Sequence, residues 1–158
     1  MDHKSFLKTL NSKDKARLNA RSDAHGLRHL MLYCAVLGVT GSWIFFALPL
    51  WQIMLIPHGI LIAFLFTLQH ECTHNTPFRS LWLNSVVGHL IAFLLFQPFV
   101  WFRYFHLAHH KYTNIAGKDP ELEGLEKPGS WGALLRHLST VDYWWVKVTT
   151  LIGNSLGP

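Results

Sequence analysis

A chain of 158 residues and 18.2 kDa has room for one ordinary domain. Half of its residues are hydrophobic, 14% are aromatic and only 15% are charged, against about 25% charged in soluble globular proteins, so an ordinary soluble domain is excluded. The net charge of +5 and the pI near 9.4 do not mark a nucleic-acid binder either, because the basic residues crowd at the N-terminus instead of covering a folded face.

Residues 1–28 carry Lys4, Lys8, Lys13, Lys15, Arg17, Arg21 and Arg28 against Asp2, Asp14 and Asp23. That excess lies just ahead of the first apolar segment, where the positive-inside rule places a cytoplasmic flank. The segment is too long for the n-region of a signal peptide, and no cleavage is expected. His3, His25 and His29 belong to this flank.

From Leu30 to His70 there are 41 residues without Asp, Glu, Lys or Arg. As helix the run measures roughly 60 Å, about twice the hydrocarbon core of a bilayer. Ala47-Leu48-Pro49-Leu50-Trp51-Gln52 near its middle reads as an uncharged turn on the non-cytoplasmic side. The expectation is a transmembrane hairpin, with span one at 30–48 and span two at 51–69. His58, after Pro57 in span two, reads as a polar contact between helices. Cys34 and Cys72 are poorly placed to pair, so no disulfide framework is expected.

Residues 75–85 read as a polar connector with Pro77, Arg79 and Asn84. Val86–Phe102 is apolar but interrupted by Gly88, His89, Gln97 and Pro98. Arg103 and Lys111 place the stretch after Phe102 on the same side as His70, so 86–102 is expected to be one helix that dips in or lies buried without crossing. Residues 117–130 read as a solvated loop containing the acidic cluster Asp119, Glu121, Glu123 and Glu126. Beyond it, Trp131, Leu134, Leu135, Leu138, Val141 and Trp145 recur at helical spacing, which predicts one helix lying in the membrane interface. At most, Tyr143–Ile152 begins a third span. The fold class is therefore all-α integral membrane: a transmembrane hairpin with membrane-embedded and interfacial helices.

Five of the eleven histidines fall into two groups. His70-Glu71-Cys72-Thr73-His74 places two imidazoles at i and i+4, on one helix face. In His106-Leu107-Ala108-His109-His110, residue 106 pairs with 109 and 110 at i+3 and i+4. An isolated HxxxH pair is more often a hydrogen-bonding or solvated pair than a ligand pair. Two groups about 30 residues apart, both at the ends of apolar segments, favour metal. Five imidazoles exceed the three protein ligands of a catalytic zinc, so either two metals bind or some histidines only support the ligands. Imidazole suits iron, zinc and copper alike, and the spacing does not choose among them. His89 reads as packing or hydrogen bonding. Trp101, Phe102 and Phe105 read as membrane belt or as the lining of a substrate channel, and Asn114 equally as a loop residue or a histidine partner.

HECTH with the NTPFRSLWLN directly after it, and FRYFHLAHHKYTN, resemble the membrane fatty acid desaturases, a group that also holds histidine-box hydroxylases and carotenoid ketolases. The resemblance covers about residues 30–125. It implies a four-span helical protein with a cytoplasmic di-iron centre held by three histidine boxes. His70 and His74 would be box one, and His106, His109 and His110 box two, with Glu71 holding a histidine in place. It further implies O₂-dependent desaturation of an acyl chain, with electrons from ferredoxin or a cytochrome b5-type donor. The membrane would supply the lipid substrate, and no nucleic acid would take part. After residue 110 the next and last histidine is His137, so the third box and the second hairpin are missing. The expectation is thus a basic cytoplasmic segment at 1–28 and, at 29–158, the N-terminal part of a desaturase-like domain. Such a portion would be truncated, inactive or dependent on a partner. His70-Glu71-Cys72-Thr73-His74 is also a literal H-E-x-x-H, the pattern of zinc proteases. That alternative leaves HLAHH without a role and offers no third ligand of the usual type.

Overall fold

Seven residues of helix at each of His3–Thr9 (α1) and Ser12–Leu18 (α2) start at side-chain caps. Asp2 accepts from the Ser5 N–H at 2.7 Å and Asn11 from the Asp14 N–H at 2.8 Å, satisfying donors that the first turn leaves open. The computed structural model describes residues 2–123 and 128–156, so Glu126 of the acidic cluster lies outside the described residues. Its internal packing divides the chain into two units, Met1–Arg103 and Tyr104–Pro158.

In the first unit, Asp23–Phe45 (α3) and Trp51–Thr73 (α4) form the expected hairpin, with shifted ends. Span one begins at Asp23, not at residue 30. The Asp23 carboxylate accepts from the Ser80 N–H at 2.8 Å and from its hydroxyl at 2.6 Å, which ties the first turn of α3 to the connector after α4. Span one also ends at Phe45, three residues early. The Leu48 N–H reaches back to the Trp43 carbonyl at 3.1 Å while Ala47 sits at φ 48°, a left-handed cap usually given to glycine. Span two runs on through box one to Thr73.

The Tyr33 hydroxyl donates to the Leu61 carbonyl at 2.6 Å, and Thr40 Oγ1 lies 2.8 Å from His58 Nδ1. These polar contacts join two helices whose outer faces are otherwise apolar and exposed, as at Met31, Val39, Ile53 and Ile60. Both cysteines are free.

Leu81–Leu94 (α5) packs on α4, and the buried core lies there. Leu65, Cys72, Phe78, Leu83, Val87, Ile91, Ala92 and Phe99 form it. The connector owes its shape to Asn84, which is fully buried. Its amide donates to the carbonyls of Phe78 at 2.9 Å and Ser80 at 3.0 Å, and its Oδ1 accepts from the Phe78 N–H.

The single helix expected at 86–102 is two helices. α5 ends at Leu94 and Phe99–Tyr112 (α6) begins after Phe96, at φ 52°, and Pro98; the two axes meet at 103°. The connector is correspondingly shorter than expected, because α5 already starts at Leu81. Gly88 lets the corner close: a Cβ there would stand 2.4 Å from the Phe99 ring. His89 Nδ1 lies 2.8 Å from the Ser85 carbonyl and its ring packs on Phe99, as expected of a packing histidine. By length and composition, Ser12–Phe45 and Trp51–Thr73 are candidate membrane spans, and the bent pair would make a third if it counts as one.

In the second unit, the remainder of α6 leads into a turn-rich loop, then Trp131–Leu138 (α7) and Val141–Leu156 (α8). The one helix expected from Trp131 to Trp145 breaks at Ser139-Thr140, where Thr140 takes φ 57°. Arg136 bridges the corner with two bonds of 2.8 Å to Asp142. The guanidinium holds the Asp142 carboxyl below the usual range. Trp131, Leu135 and Leu138 on α7 are all exposed.

Candidate metal centre

Box one occupies the last turn of α4. Helical periodicity turns Gln69, Cys72 and Thr73 into the buried side of the helix and leaves His70 and His74 half-buried together, with ring centroids 5.2 Å apart. His74 is the C-cap, so the second histidine of the box coincides with the helix end. The chain leaves through Asn75 at φ 56°, with the Thr76 N–H bonded to the Glu71 carbonyl. Beside the box, the Gln69 amide donates to the Gln97 carbonyl at 3.2 Å, linking α4 to the α5–α6 corner. Its Oε1 is buried and takes no hydrogen bond among the described residues.

Glu71 is exposed, and its carboxylate accepts from the Thr76 hydroxyl. It also lines a cavity of about 350 Å³ between α3 and α4, together with His29, Tyr33, Phe64 and Leu68.

Box two lies in the C-terminal half of α6. His106 is buried at 4% exposure, and its Nε2 stands 2.9 Å from Nε2 of His110, one turn on. Two imidazole nitrogens bound at right angles to one ion, each at about 2.1 Å, lie about 3.0 Å apart. The contact is a hydrogen bond between the two rings, and its length also matches the spacing of neighbouring donors on a metal.

His109 points elsewhere. Its Nδ1 is 2.9 Å from Asp119 Oδ1 and 3.4 Å from Glu121 Oε2. The sequence places Asp119 in a solvated loop, but the residue is 1% exposed. Its two oxygens also accept from the backbone N–H groups of Asn114 at 2.8 Å and Glu121 at 3.0 Å. Burial opposes the charge on Asp119, but the His109 contact and the two backbone donors outweigh it and keep the carboxyl below its ordinary range. Glu121 Oε1 lies 3.9 Å from His106 Nδ1. Asn114 serves through its backbone, at φ 62°. The sequence signal for this carboxylate is faint: turn formers Asn114, Gly117 and Pro120 close behind a histidine box.

Among the described residues, box one offers His70 and His74, and box two offers His106 and His110, as potential metal donors. An all-imidazole donor set suits a transition metal and does not suit calcium or magnesium.

The sequence signature of the fatty acid desaturase family matches residues 45–155. The chain belongs to that family. It is 34% identical over 86 residues to an sn-1 oleoyl-lipid 12-desaturase from Picosynechococcus sp., a match covering 54% of this chain and 23% of that protein. It is 34% identical over 89 residues to an sn-1 acyl-lipid omega-3 desaturase (ferredoxin) from Nostoc sp., covering 56% and 23%. Against an sn-1 linoleoyl-lipid 6-desaturase from Synechocystis sp. it is 34% identical over 125 residues, covering 68% and 34%. This desaturase-family chain thus spans about a quarter to a third of the length of these relatives. No solved structure matches it.

Proposed function

We propose that this chain carries the first two histidine boxes of an acyl-lipid desaturase and contributes them to a di-iron centre on the cytoplasmic side of the membrane. The reaction is CH₂–CH₂ + O₂ + 2 e⁻ + 2 H⁺ → CH=CH + 2 H₂O on an acyl chain. The electrons come from a one-electron carrier of the ferredoxin class, the donor named for the Nostoc relative. The observation that carries the reading is the His106–His110 pair, with two Nε2 atoms at metal-sharing distance inside a chain that belongs to this family.

The histidines of the two boxes, His70 and His74 at the end of α4 and His106, His109 and His110 on α6, would hold the irons, His109 through its Nε2. When bound, the irons supply the O₂ activation that breaking an unactivated C–H bond requires. The chain's own residues present neutral imidazole donors, fix their orientation through hydrogen bonds, and keep His106 from water. The exposed apolar faces of α3 and α4 suit contact with lipid, where the substrate resides.

The H-E-x-x-H of box one is then a coincidence of spacing. Glu71 is engaged by Thr76, and the protease reading has nothing further to support it. The relatives are three to four times longer than the matched region, so the complete centre is proposed to need ligands from a third box outside residues 1–158.

Reading the source nucleic acid beyond codon 158 for a third histidine box, and expressing the extended product in a host that supplies a reduced ferredoxin, tests this. The expected result is a new double bond in the membrane lipids, seen by gas chromatography of the fatty acid methyl esters. Loss of activity and bound iron is expected in His70→Ala and in His106→Ala. Full iron retention in both variants would defeat the ligand assignment.

A further inference from the structure

Resting on that metal reading, we propose that Asp119 is a positioning residue for box two: its buried carboxylate fixes the tautomer and ring orientation of His109. Three observations carry this. Asp119 Oδ1 is 2.9 Å from His109 Nδ1, a distance at which the nitrogen carries the proton and donates it to the acid. A neutral imidazole has one proton, so bonding at Nδ1 leaves the lone pair on Nε2, the atom free to serve as a donor. The carboxylate is itself immobilised. It is 1% exposed and takes the backbone N–H groups of Asn114 and Glu121, so its position is set before any ligand arrives.

The loop is built for this purpose. Asn114 at φ 62° and Gly117 at φ 74° reverse the chain directly after α6 and return it to the histidine face ten residues later. A loop only needing solubility would leave its aspartate in water, where no desolvation is incurred. Glu121 adds a second carboxylate, 3.4 Å from His109 Nδ1 and 3.9 Å from His106 Nδ1. Asp119 and Glu121 are therefore the acidic counterpart of the histidines, with Asp119 as the fixed point.

The test uses the full chain, metal-free in detergent micelles, with ¹⁵N-labelled histidine rings and imidazoles neutral at alkaline pH. Long-range ¹H–¹⁵N correlation reports which ring nitrogen of His109 carries the proton, and His109→Gln assigns the signal. Nδ1–H is expected in the wild type and in Asp119→Asn, whose amide oxygen still accepts. A switch to Nε2–H is expected in Asp119→Ala. Nε2–H in the wild type, or an unchanged tautomer in Asp119→Ala, would overturn the proposal; the wild-type spectrum alone decides if Asp119→Ala does not fold.

Titration with Co²⁺ supplies the second readout. Asp119→Ala is expected to bind it about 10- to 100-fold more weakly than the wild type, with Asp119→Asn in between. Equal affinity in Asp119→Ala and wild type would overturn the positioning role. The imidazoles of the two boxes are donors enough for one Co²⁺ without a third box, so failure of a wild-type chain with His109 protonated at Nδ1 to bind cobalt at all would overturn the metal reading, and the positioning role with it, while the tautomer assignment stands.

Discussion

His106 and His110 show why the candidate metal donors of this chain stand out in the sequence. Donors on one helix must recur at three or four residues, and two such groups at the ends of apolar segments favour metal over the hydrogen-bonded pair that either would make alone. Each should prove necessary for metal. His110→Ala removes one of two Nε2 atoms 2.9 Å apart and is expected to weaken Co²⁺ binding at least tenfold by titration. His89→Ala, which touches Phe99 and the Ser85 carbonyl, should leave the affinity unchanged. Equal losses in the two variants would mean that the packing of the fold, not the donor, had been damaged. Asp119 is hidden in the sequence because its partner His109 lies ten residues earlier, and three neighbouring glutamates give the loop the composition of a solvated one. Only the backbone reversal at Asn114 and Gly117 reveals that one of these acids turns inward. Asn84 is hidden for a related reason. It reads as a polar connector residue, yet it is fully buried and satisfies both the N–H and the carbonyl of Phe78. Asn84→Leu keeps the volume and strands those groups away from water. A loss on the order of 2–4 kcal/mol is expected, measured by chemical unfolding in micelles. A loss under about 0.5 kcal/mol would show that the connector has another way to satisfy them.

Helix interiors are legible in the sequence and helix ends are not. The apolar runs of α3 and α4 are unmistakable, but α3, α4 and α5 all stop at a left-handed residue that is not glycine: Ala47, Asn75 and Phe96. Each is succeeded by an N–H reaching back five residues to the last turn, namely Leu48 to Trp43, Thr76 to Glu71 and Gln97 to Ala92. That is a capping geometry whose usual glycine marker is missing. For the same reason the α7–α8 corner at Thr140 reads in the sequence as continuous helix. An L-residue in the left-handed region costs about 1–2 kcal/mol, so Ala47→Gly, which removes only a methyl group, should raise the stability of the hairpin by about 1 kcal/mol. A lowered thermal midpoint would indicate that the Ala47 methyl group is packed. Gly88 makes the opposite case, a glycine kept for space. Gly88→Ala forces a Cβ to within 2.4 Å of the Phe99 ring, and opening the α5–α6 corner is expected to cost about 1–3 kcal/mol.

For the molecule as a whole, the question is how many times the chain crosses the membrane before box two. α3 and α4 are each 23 residues long, about 35 Å of helix, and suffice to cross a 30 Å core. α5 has 14 residues, about 21 Å, and ends at a 103° corner. A helix of that length falls short of a span, and α6 turns away from its axis instead of extending it. Charge agrees: the basic N-terminal segment, Arg79 and Lys111 all favour the cytoplasmic side, whereas the turn at residues 46–50 has no charge. Both boxes must also share a side to serve one centre, which a crossing by α5 and α6 would prevent. Single cysteines placed at Ser12, Leu48, Arg79 and Ala116, in a chain with Cys34 and Cys72 replaced, distinguish the possibilities through labelling by an impermeant maleimide in oriented vesicles. Residues 12, 79 and 116 are expected to label from one side and residue 48 from the other. Were residue 116 to label with residue 48, α5 and α6 would together form a third span, and the two boxes could not act on the same iron pair.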